Sequence, residues 1–97
     1  MSLIHYEDDF DNLIKDKAVV DFFATWCGPC KMFSPVFEDV SSEMDINFIK
    51  INVDEYPDIA RKYGVMTIPT VILFKDGKEV KRNIGFMSKE ELIDFLK

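Results

Sequence analysis

The chain has 97 residues, of which 47% are hydrophobic, and this size and composition predict one folded domain spanning residues 1–97. Its net charge of −6 disfavours nucleic acid as a partner, because phosphate binding requires a clustered positive field. No apolar run approaches the roughly 20 residues that cross a bilayer, and MSLIHYEDDF lacks the basic and apolar regions of a signal peptide. These features predict a cytoplasmic protein with no membrane segment.

Predicted strands and helices alternate along the chain. The run AVVDFFA is typical of a central strand covered on both faces, and Pro35 lies inside the helix predicted after it. In chain order we predict a weak strand over 2–6, a helix over 8–14, a strand over 18–24, a helix over 30–44, a strand over 47–53, a helix over 56–63, strands over 70–74 and 78–84, and a last helix beginning at Ser88.

Local signals in the second half of the chain indicate a hairpin and a helix start. The dipeptide DG at positions 76–77 favours a type I′ turn between two strands. Ser88 and Glu91 have the spacing of a capping box, and Met87 and Leu92 are placed for a hydrophobic staple. The β-α-β order of the first half implies parallel strands, and the hairpin adds an antiparallel pair. The pattern predicts an α/β fold with a mixed sheet and helices on both faces.

Both cysteines lie in ATWCGPCKM, residues 24–32, and their spacing suits a metal site, a structural disulfide or a redox couple. A structural zinc site needs four ligands, and beyond Cys27 and Cys30 the chain offers a single distant histidine, His5. A static disulfide between residues three apart closes too small a loop to stabilise the fold much. We therefore predict no metal site and favour a dithiol–disulfide couple over a structural bridge.

The cysteine pair stands where the apolar strand ends and a helix begins. Unpaired backbone N–H groups and the positive end of the helix dipole favour an anion at that point. We expect Cys27 to cap or precede the helix as an exposed thiolate, and Cys30 to lie inside the first turn, held back from solvent. Pro29 suits the first turn, and Gly28 allows a partner chain to approach closely.

Two charged residues inside apolar strands are further candidates for the site. Asp21 is the one charge in AVVDFFA, and burial there would raise its carboxyl pKa toward neutrality, where an acid or base is useful. The alternative is an aspartate at a strand edge whose carboxylate accepts hydrogen bonds from backbone N–H groups. Lys50 lies in the middle of NFIKINV, and the alternative for it is a solvent-facing lysine.

Several motifs resemble those of the thioredoxin family, in the same order and at the family's spacing. They are AVVDFFATWCGPCKM, Pro35, KINVDEYP, TIPTVILFKDG and NIGFMSK, and together they span essentially the whole chain. The resemblance implies a thioredoxin fold, a five-stranded mixed sheet with strand order 1-3-2-4-5 flanked by four helices. It also implies a monomer that reduces protein disulfides and has no cofactor of its own. The implied partners are disulfide-containing proteins and a thioredoxin reductase, which would carry the nicotinamide and flavin.

The resemblance also implies a role for each matching residue. Cys27 corresponds to the attacking thiolate and Cys30 to the resolving thiol. Asp21 matches the buried aspartate that assists proton transfer at the second cysteine, and Lys50 matches the lysine beside that aspartate. An oxidase or isomerase of the same fold is disfavoured, because such proteins typically have His where Pro29 stands. The alternative from another class is a binding or scaffold subunit whose redox activity is incidental.

A docking surface around the nucleophile is implied as well. The Ile68–Pro69 bond would be cis, and the Thr67–Ile68 backbone would pair with a substrate strand. The residues that match the family's apolar surface are Trp26, Gly28, Pro29, Val53, Ile68, Gly85 and Phe86. Two positions depart from the family pattern. Phe23 replaces a Trp, which is expected to alter packing behind the site, and Phe86 replaces a small residue, which is expected to enlarge the apolar rim.

Overall fold

The computed structural model describes residues 3–97, so the predicted strand position at Ser2 lies outside the described residues. Within that range the chain forms five strands and four helices in the predicted order. The elements are β1 Leu3–His5, α1 Phe10–Leu13, β2 Ala18–Phe23, α2 Gly28–Ser41, β3 Asn47–Asn52, α3 Pro57–Lys62, β4 Thr70–Lys75, β5 Lys78–Ile84 and α4 Lys89–Phe95. Among residues 3–97 no helix has the length and apolar character that crossing a membrane requires.

The described strands form a single mixed sheet with the order β1-β3-β2-β4-β5. The pairs β1–β3 and β2–β3 are parallel, whereas β2–β4 and β4–β5 are antiparallel. The β-α-β connections therefore produce parallel neighbours, and the closing hairpin produces the antiparallel edge. This is the sheet order that the sequence resemblance implies.

The two faces of the sheet bury different side chains, because successive residues of a strand point to opposite sides. One face, here called the α1–α3 face, packs against α1 and α3 and contains Ala18, Val20, Phe22, Ile49, Ile51, Ile72 and Phe74. The other, the α2–α4 face, packs against α2 and α4 and contains Val19, Phe48, Val71 and Leu73. Asp21 and Lys50 stand opposite each other in the β2–β3 register, in step with the α2–α4 residues.

Two helix boundaries differ from the sequence prediction. Helix α2 begins at Gly28 rather than Cys30, because Cys27 acts as its N-cap and Pro29 occupies its first turn. It continues through Pro35 and ends at Ser41, three residues before the predicted end. Helix α1 is shorter than predicted, only Phe10–Leu13, because Asp9 before it adopts the left-handed conformation with φ of 62°.

The hairpin and the last helix form as predicted. Asp76 and Gly77 both have positive φ, 55° and 79°, as a type I′ turn requires. In the capping box, Ser88 Oγ accepts a hydrogen bond from the Glu91 N–H at 3.2 Å, and Glu91 Oε1 accepts one from the Ser88 N–H at 2.9 Å. Met87 and Leu92 are both buried on the α2–α4 face, which fixes α4 against the sheet.

Candidate active site

The two cysteines are joined where β2 gives way to α2. A disulfide links Cys27 and Cys30, whose Cα atoms are 5.2 Å apart. Cys27 is the N-cap of α2 in extended conformation, and its Sγ accepts a hydrogen bond from the Cys30 N–H at 3.2 Å. An N–H group at the start of the helix therefore points at the sulfur of Cys27, which is the arrangement that stabilises a thiolate there.

The prediction that Cys27 is exposed is wrong for this disulfide form. Its side chain is 5% exposed and that of Cys30 is 3% exposed. The two cysteines pack with Ala24, and Phe23 and Val53 cover them from the side. Burial of Cys27 results from long-range packing, because the chain near residue 68 folds back onto the start of α2.

That returning segment contains the predicted cis peptide bond, between Ile68 and Pro69. The Ile68 carbonyl oxygen lies 3.8 Å from Cys27 Sγ, so this backbone borders the disulfide directly. The Gly85 N–H donates a hydrogen bond to the Pro69 carbonyl at 2.8 Å, and the Thr67 carbonyl accepts one from the Thr70 hydroxyl. The fold thus brings the segments at 67–69 and 85–86 to the cysteine pair.

The residues of the predicted docking surface differ widely in exposure. Trp26 is 68% exposed and Phe86 is 45% exposed. The Phe86 ring contacts Phe33 of α2 edge to face, with ring centres 6.2 Å apart. The remaining exposed positions are Gly28, Pro29 and Thr67, the half-buried ones are Val53, Ile68 and Gly85, and Pro69 is buried. Trp26 and Phe86 are therefore the large exposed apolar side chains of this predicted set, and their positions are here called the rim.

One contact at this rim was missed from the sequence. The Trp26 Nε1–H donates a hydrogen bond to Asp54 Oδ2 at 2.8 Å, although 28 residues separate the two in the chain. The backbone of Asp54 is held in turn by Asn52 Oδ1 at 2.9 Å. An exposed indole is therefore fixed in orientation beside Cys27 by the loop that follows β3. No local sequence signal links these residues.

Asp21 is buried on β2, with 1% of its surface exposed. Among the residues that the structure describes, its Oδ1 is the one buried side-chain oxygen or nitrogen without a hydrogen-bond partner. Burial raises the pKa of the Asp21 carboxyl to about 7, and the nearby positive charge of Lys50 offsets part of that rise. The carboxyl can therefore gain or lose a proton near neutral pH. The alternative of an edge aspartate bound by backbone donors does not fit this position.

Lys50 is also buried, with 7% of its surface exposed, which excludes the solvent-facing alternative. Its Nζ donates a hydrogen bond to the Ser34 hydroxyl and lies 3.4 Å from Glu38 Oε2, both on α2. It also lies 4.9 Å from the centre of the Phe23 ring, a cation–π contact. Phe23, one of the two departures from the family pattern, therefore contacts Lys50 directly.

A cleft of about 270 Å³ lies beside the second cysteine and reaches two members of this polar cluster. It is lined by Cys30, Ser34 and Lys50, together with Phe23 and Lys31. Since a water molecule occupies about 30 Å³ in the liquid, the cleft has room for several. Cys30 and Lys50 therefore line the same water-sized space. Within residues 3–97 no cluster of three or more His, Cys, Asp or Glu side chains is arranged to hold a metal ion.

A vicinal cysteine pair capping a helix, with a cis-proline against it on a mixed sheet, defines a thiol–disulfide oxidoreductase. The thioredoxin family model matches residues 2–97, and the chain belongs to the thioredoxin family. Thioredoxin of Staphylococcus epidermidis is 47% identical over 100 residues, which covers 99% of this chain and 96% of that protein. Thioredoxin of Staphylococcus aureus is 45% identical with the same coverage.

Solved structures agree with this assignment. A point mutant of thioredoxin from Halobacterium salinarum superposes with a TM-score of 0.91 at 35% identity, covering 97% of this chain and 87% of that one. The reduced thioredoxin pre-protein of Schistosoma mansoni gives a TM-score of 0.88 at 38% identity, covering 99% of this chain and 96% of that one. The protein is a thiol–disulfide oxidoreductase that reduces protein disulfides, and the relatives do not favour the scaffold alternative.

Proposed function

We propose that Cys27 attacks the target disulfide and that Cys30 resolves the intermediate. The Cys27 thiolate forms a bond to one target sulfur, and the target's own S–S bond breaks to release a thiolate. The Cys30 thiol then loses its proton and attacks Cys27 Sγ, which breaks the mixed disulfide and releases the second target thiolate. Two electrons pass to the target, and the protein is left with the Cys27–Cys30 disulfide.

The observation that carries this assignment is the hydrogen bond from the Cys30 N–H to Cys27 Sγ at the start of α2. That donor, with the positive end of the helix dipole, favours the anionic form of Cys27 rather than of Cys30. Cys27 is itself buried in the disulfide form, but its neighbours Trp26 and Gly28 are exposed, and we propose that a target approaches Cys27 from that side. Cys30 is on the inner side of α2, next to buried Phe33.

Activation of the thiolate alone is a modest effect. Lowering a thiol pKa from about 8.5 to about 7 raises the thiolate fraction at neutral pH roughly 16-fold. The weaker base is a poorer nucleophile, with a loss of about 5-fold at a Brønsted slope near 0.45. The net gain is about 3-fold. Placing Cys30 beside the mixed disulfide matters more, since well-oriented intramolecular attack can reach effective molarities of about 10⁵ M.

We assign Asp21 as the proton acceptor for Cys30, with Lys50 modulating its affinity for the proton. A carboxyl pKa of about 7 allows Asp21 to accept a proton and to return it at the same pH. Cys30 and Lys50 line one cleft, and Asp21 is the register neighbour of Lys50, so we propose that water in the cleft relays that proton toward Asp21. Asp21 thus acts on the second step, in which Cys30 must become a thiolate.

The target is proposed to dock as an extended strand beside the Thr67–Ile68 backbone, by β-augmentation. The Ile68 carbonyl lies next to the disulfide, so such a strand would be placed with its cysteine against Cys27. The apolar contacts would come from Trp26, Gly28, Pro29, Val53, Ile68, Gly85 and Phe86, with Pro69 placed against the cysteine pair. The oxidised protein would be returned to the dithiol by a thioredoxin reductase that holds nicotinamide and flavin. We further propose that residues 1–97 act as one monomeric domain in the cytoplasm.

Reduction of insulin disulfides by dithiothreitol tests the proposal. The wild type should accelerate the reaction, whereas Cys27→Ser and Cys30→Ser should each abolish the acceleration. Only Cys30→Ser should accumulate a stable mixed disulfide with the target, because it retains the attacking thiol and lacks the resolving one. Accumulation on Cys27→Ser instead would reverse the two roles, and an inactive wild type would overturn the reductase assignment.

A further inference from the structure

We propose that Ser34 and Glu38 are positioning residues that hold the Lys50 ammonium against α2 and so limit its action on Asp21. The effect on turnover rests on the proposed function of Asp21. The placement of Lys50 does not, because it follows from the contacts in the structure alone. Ser34 and Glu38 are one helical turn apart on α2, so both reach the same point on the neighbouring strand.

The three polar groups form a closed set of contacts. The Ser34 hydroxyl donates to Glu38 Oε2 at 2.8 Å, and the Lys50 ammonium donates to the Ser34 oxygen. The ammonium also lies 3.4 Å from Glu38 Oε2. The serine hydroxyl uses its single donor on the carboxylate and an acceptor site on the lysine, so all the contacts are compatible. Lys50 is therefore tied to the helix by two groups.

No ion pair or hydrogen bond of this kind joins Asp21 to Lys50. Within residues 3–97 the ion pair that Lys50 makes is with Glu38, and Asp21 Oδ1 has no hydrogen-bond partner. Yet Asp21 and Lys50 are direct neighbours in the β2–β3 register. The buried carboxyl thus stands beside a buried ammonium whose nearest opposite charge belongs to another residue.

The surroundings of this pair contain few other charges. The α2 helix contributes Glu38 and Lys31, which lines the same cleft as Lys50. Strand β1 contributes the titratable His5, the register partner of Lys50. On β4 the residue opposite Asp21 is the uncharged Val71. Helix α4, packed on α2, places Lys89 against Asp39 and Glu43 instead.

Removing the negative charge of Glu38 should make Asp21 easier to ionise. The released ammonium could turn toward the aspartate, and the repulsion between the two carboxylates would disappear as well. Both changes lower the pH at which the aspartate titrates. Removing Lys50 acts in the opposite direction, because it deletes the positive charge itself. Opposite signs for Glu38→Gln and Lys50→Met are therefore the signature of the proposed arrangement.

The test is a carbon-13 NMR titration of the oxidised protein with labelled aspartate carboxyls, in which the resonance absent from Asp21→Asn identifies Asp21. We expect Glu38→Gln to lower the Asp21 midpoint by about 0.5 to 1 pH unit. Ser34→Ala should lower it by a smaller amount, and Ser34→Thr, which keeps the hydroxyl, should restore it. Asp39→Asn is the matched control, because it removes a neighbouring carboxylate on α2 that pairs with Lys89, and it should shift the midpoint by less than about 0.2 unit.

A double mutant separates positioning from simple repulsion. If Glu38 acts by holding Lys50, then adding Glu38→Gln to Lys50→Met should move the midpoint by less than half of its effect in the wild type. An equal shift in both backgrounds would overturn the proposal and leave only carboxylate repulsion. A shift in Asp39→Asn as large as that in Glu38→Gln would also overturn it, since net charge would then explain the result.

The pH profile of insulin reduction distinguishes this inference from the proposed function. If the NMR midpoint and the profile both shift in Glu38→Gln, the positioning role and the proton-acceptor role of Asp21 are both supported. If the NMR midpoint shifts and the profile does not, positioning is supported and the role of Asp21 in turnover fails. If the NMR midpoint does not move, the positioning role fails whatever the profile shows.

Discussion

The two faces of the sheet are built from the same strands but differ in what they bury. On β2 the α1–α3 face receives Val20 and Phe22, within a cluster that contains no charged residue. The opposite side receives Val19, Asp21 and Phe23 from alternate positions of the same strand, and places Lys50 beside the aspartate. The period of two thus places apolar core residues on one face and the proposed proton acceptor on the other, from adjacent positions of one strand.

This difference indicates where the fold can tolerate a destabilising group. A buried ionisable carboxyl with an oxygen that lacks a hydrogen-bond partner, as Asp21 Oδ1 does, costs free energy. It lies on the face covered by α2, which carries the cysteines. The other face consists of interlocking apolar and aromatic side chains that offset such a cost. If this division holds, substitutions on the two faces should separate stability from pH-dependent activity.

The largest expected effect is on stability, from the α1–α3 face. Phe74 is fully buried and contacts Phe10 and Tyr63 with ring centres 5.7 Å and 5.2 Å apart. Phe74→Ala should lower the free energy of unfolding by about 3–5 kcal/mol, measured by urea denaturation. The folded variant should keep its rate of insulin reduction within about 2-fold at 25 °C. A much slower rate in fully folded protein would contradict the division between the faces.

Asp21→Asn should raise the free energy of unfolding, and it should do so only above about pH 4. Because the pKa is raised from 3.8 to about 7, the folded protein keeps a proton that the unfolded chain has lost in that window. Wild-type stability therefore falls as the pH rises from about 4 to about 7. The difference of about three pKa units corresponds to about 4 kcal/mol at most.

Urea denaturation of the wild type and of Asp21→Asn at several pH values measures this difference in the free energy of unfolding. Asp21→Asn should be more stable than the wild type by up to about 4 kcal/mol above about pH 7, and equally stable near pH 4. It should also reduce insulin more slowly, since Cys30 loses its proposed proton acceptor. A stability difference that does not vary with pH would show that Asp21 does not titrate in the folded protein as described.

Removing the N-cap of α4, which packs on the α2–α4 face, should lower stability and leave the activity unchanged. Ser88→Ala removes one half of the capping box of α4, a loss of about 1 kcal/mol. The pH profile of insulin reduction should remain that of the wild type, because Ser88 touches neither the cysteines nor Lys50. A shifted profile would indicate that the α2–α4 face transmits packing changes to the site.

The smallest expected effect is on target choice, at the rim. Phe86→Ala should alter the apparent KM for several protein disulfides by about 2- to 5-fold, and unequally among them, because part of the apolar docking surface is removed. Val80→Ala is the matched control, since Val80 is 56% exposed but belongs to β5 outside the proposed surface. Unchanged rates for every target would mean that Phe86 does not contribute to docking.

Local signals were sufficient to predict most of the fold. The apolar run of β2, the DG turn at 76–77 and the Ser88 capping box each depend on residues within one turn or strand of one another. The strand order and the cis bond before Pro69 came from the resemblance to the thioredoxin family, because no local pattern specifies either. The cap at Cys27 was predicted, but the bounds of α1 and the C-terminal end of α2 were predicted less well, since they depend on local backbone conformation such as the left-handed Asp9.

The contacts within the site were the least predictable part. Ser34 and Glu38 lie on one helical turn, but only the docking of α2 on β3 brings them to Lys50. Burial of Cys27 likewise depends on the chain near Ile68, which lies 41 residues further along the chain. Such contacts follow from how elements pack, and a sequence pattern describes each element separately.

Trp26 has a consequence for how this molecule can be observed. It is the single tryptophan of the chain, it adjoins Cys27, and its indole is fixed by Asp54 at the rim. Indole fluorescence therefore comes from one point on the proposed docking surface and from neither buried face of the sheet. An unfolding curve recorded by this emission would follow local opening at the rim, whereas far-ultraviolet circular dichroism follows the helices and strands. The separation between the two curves would measure how independently the rim moves.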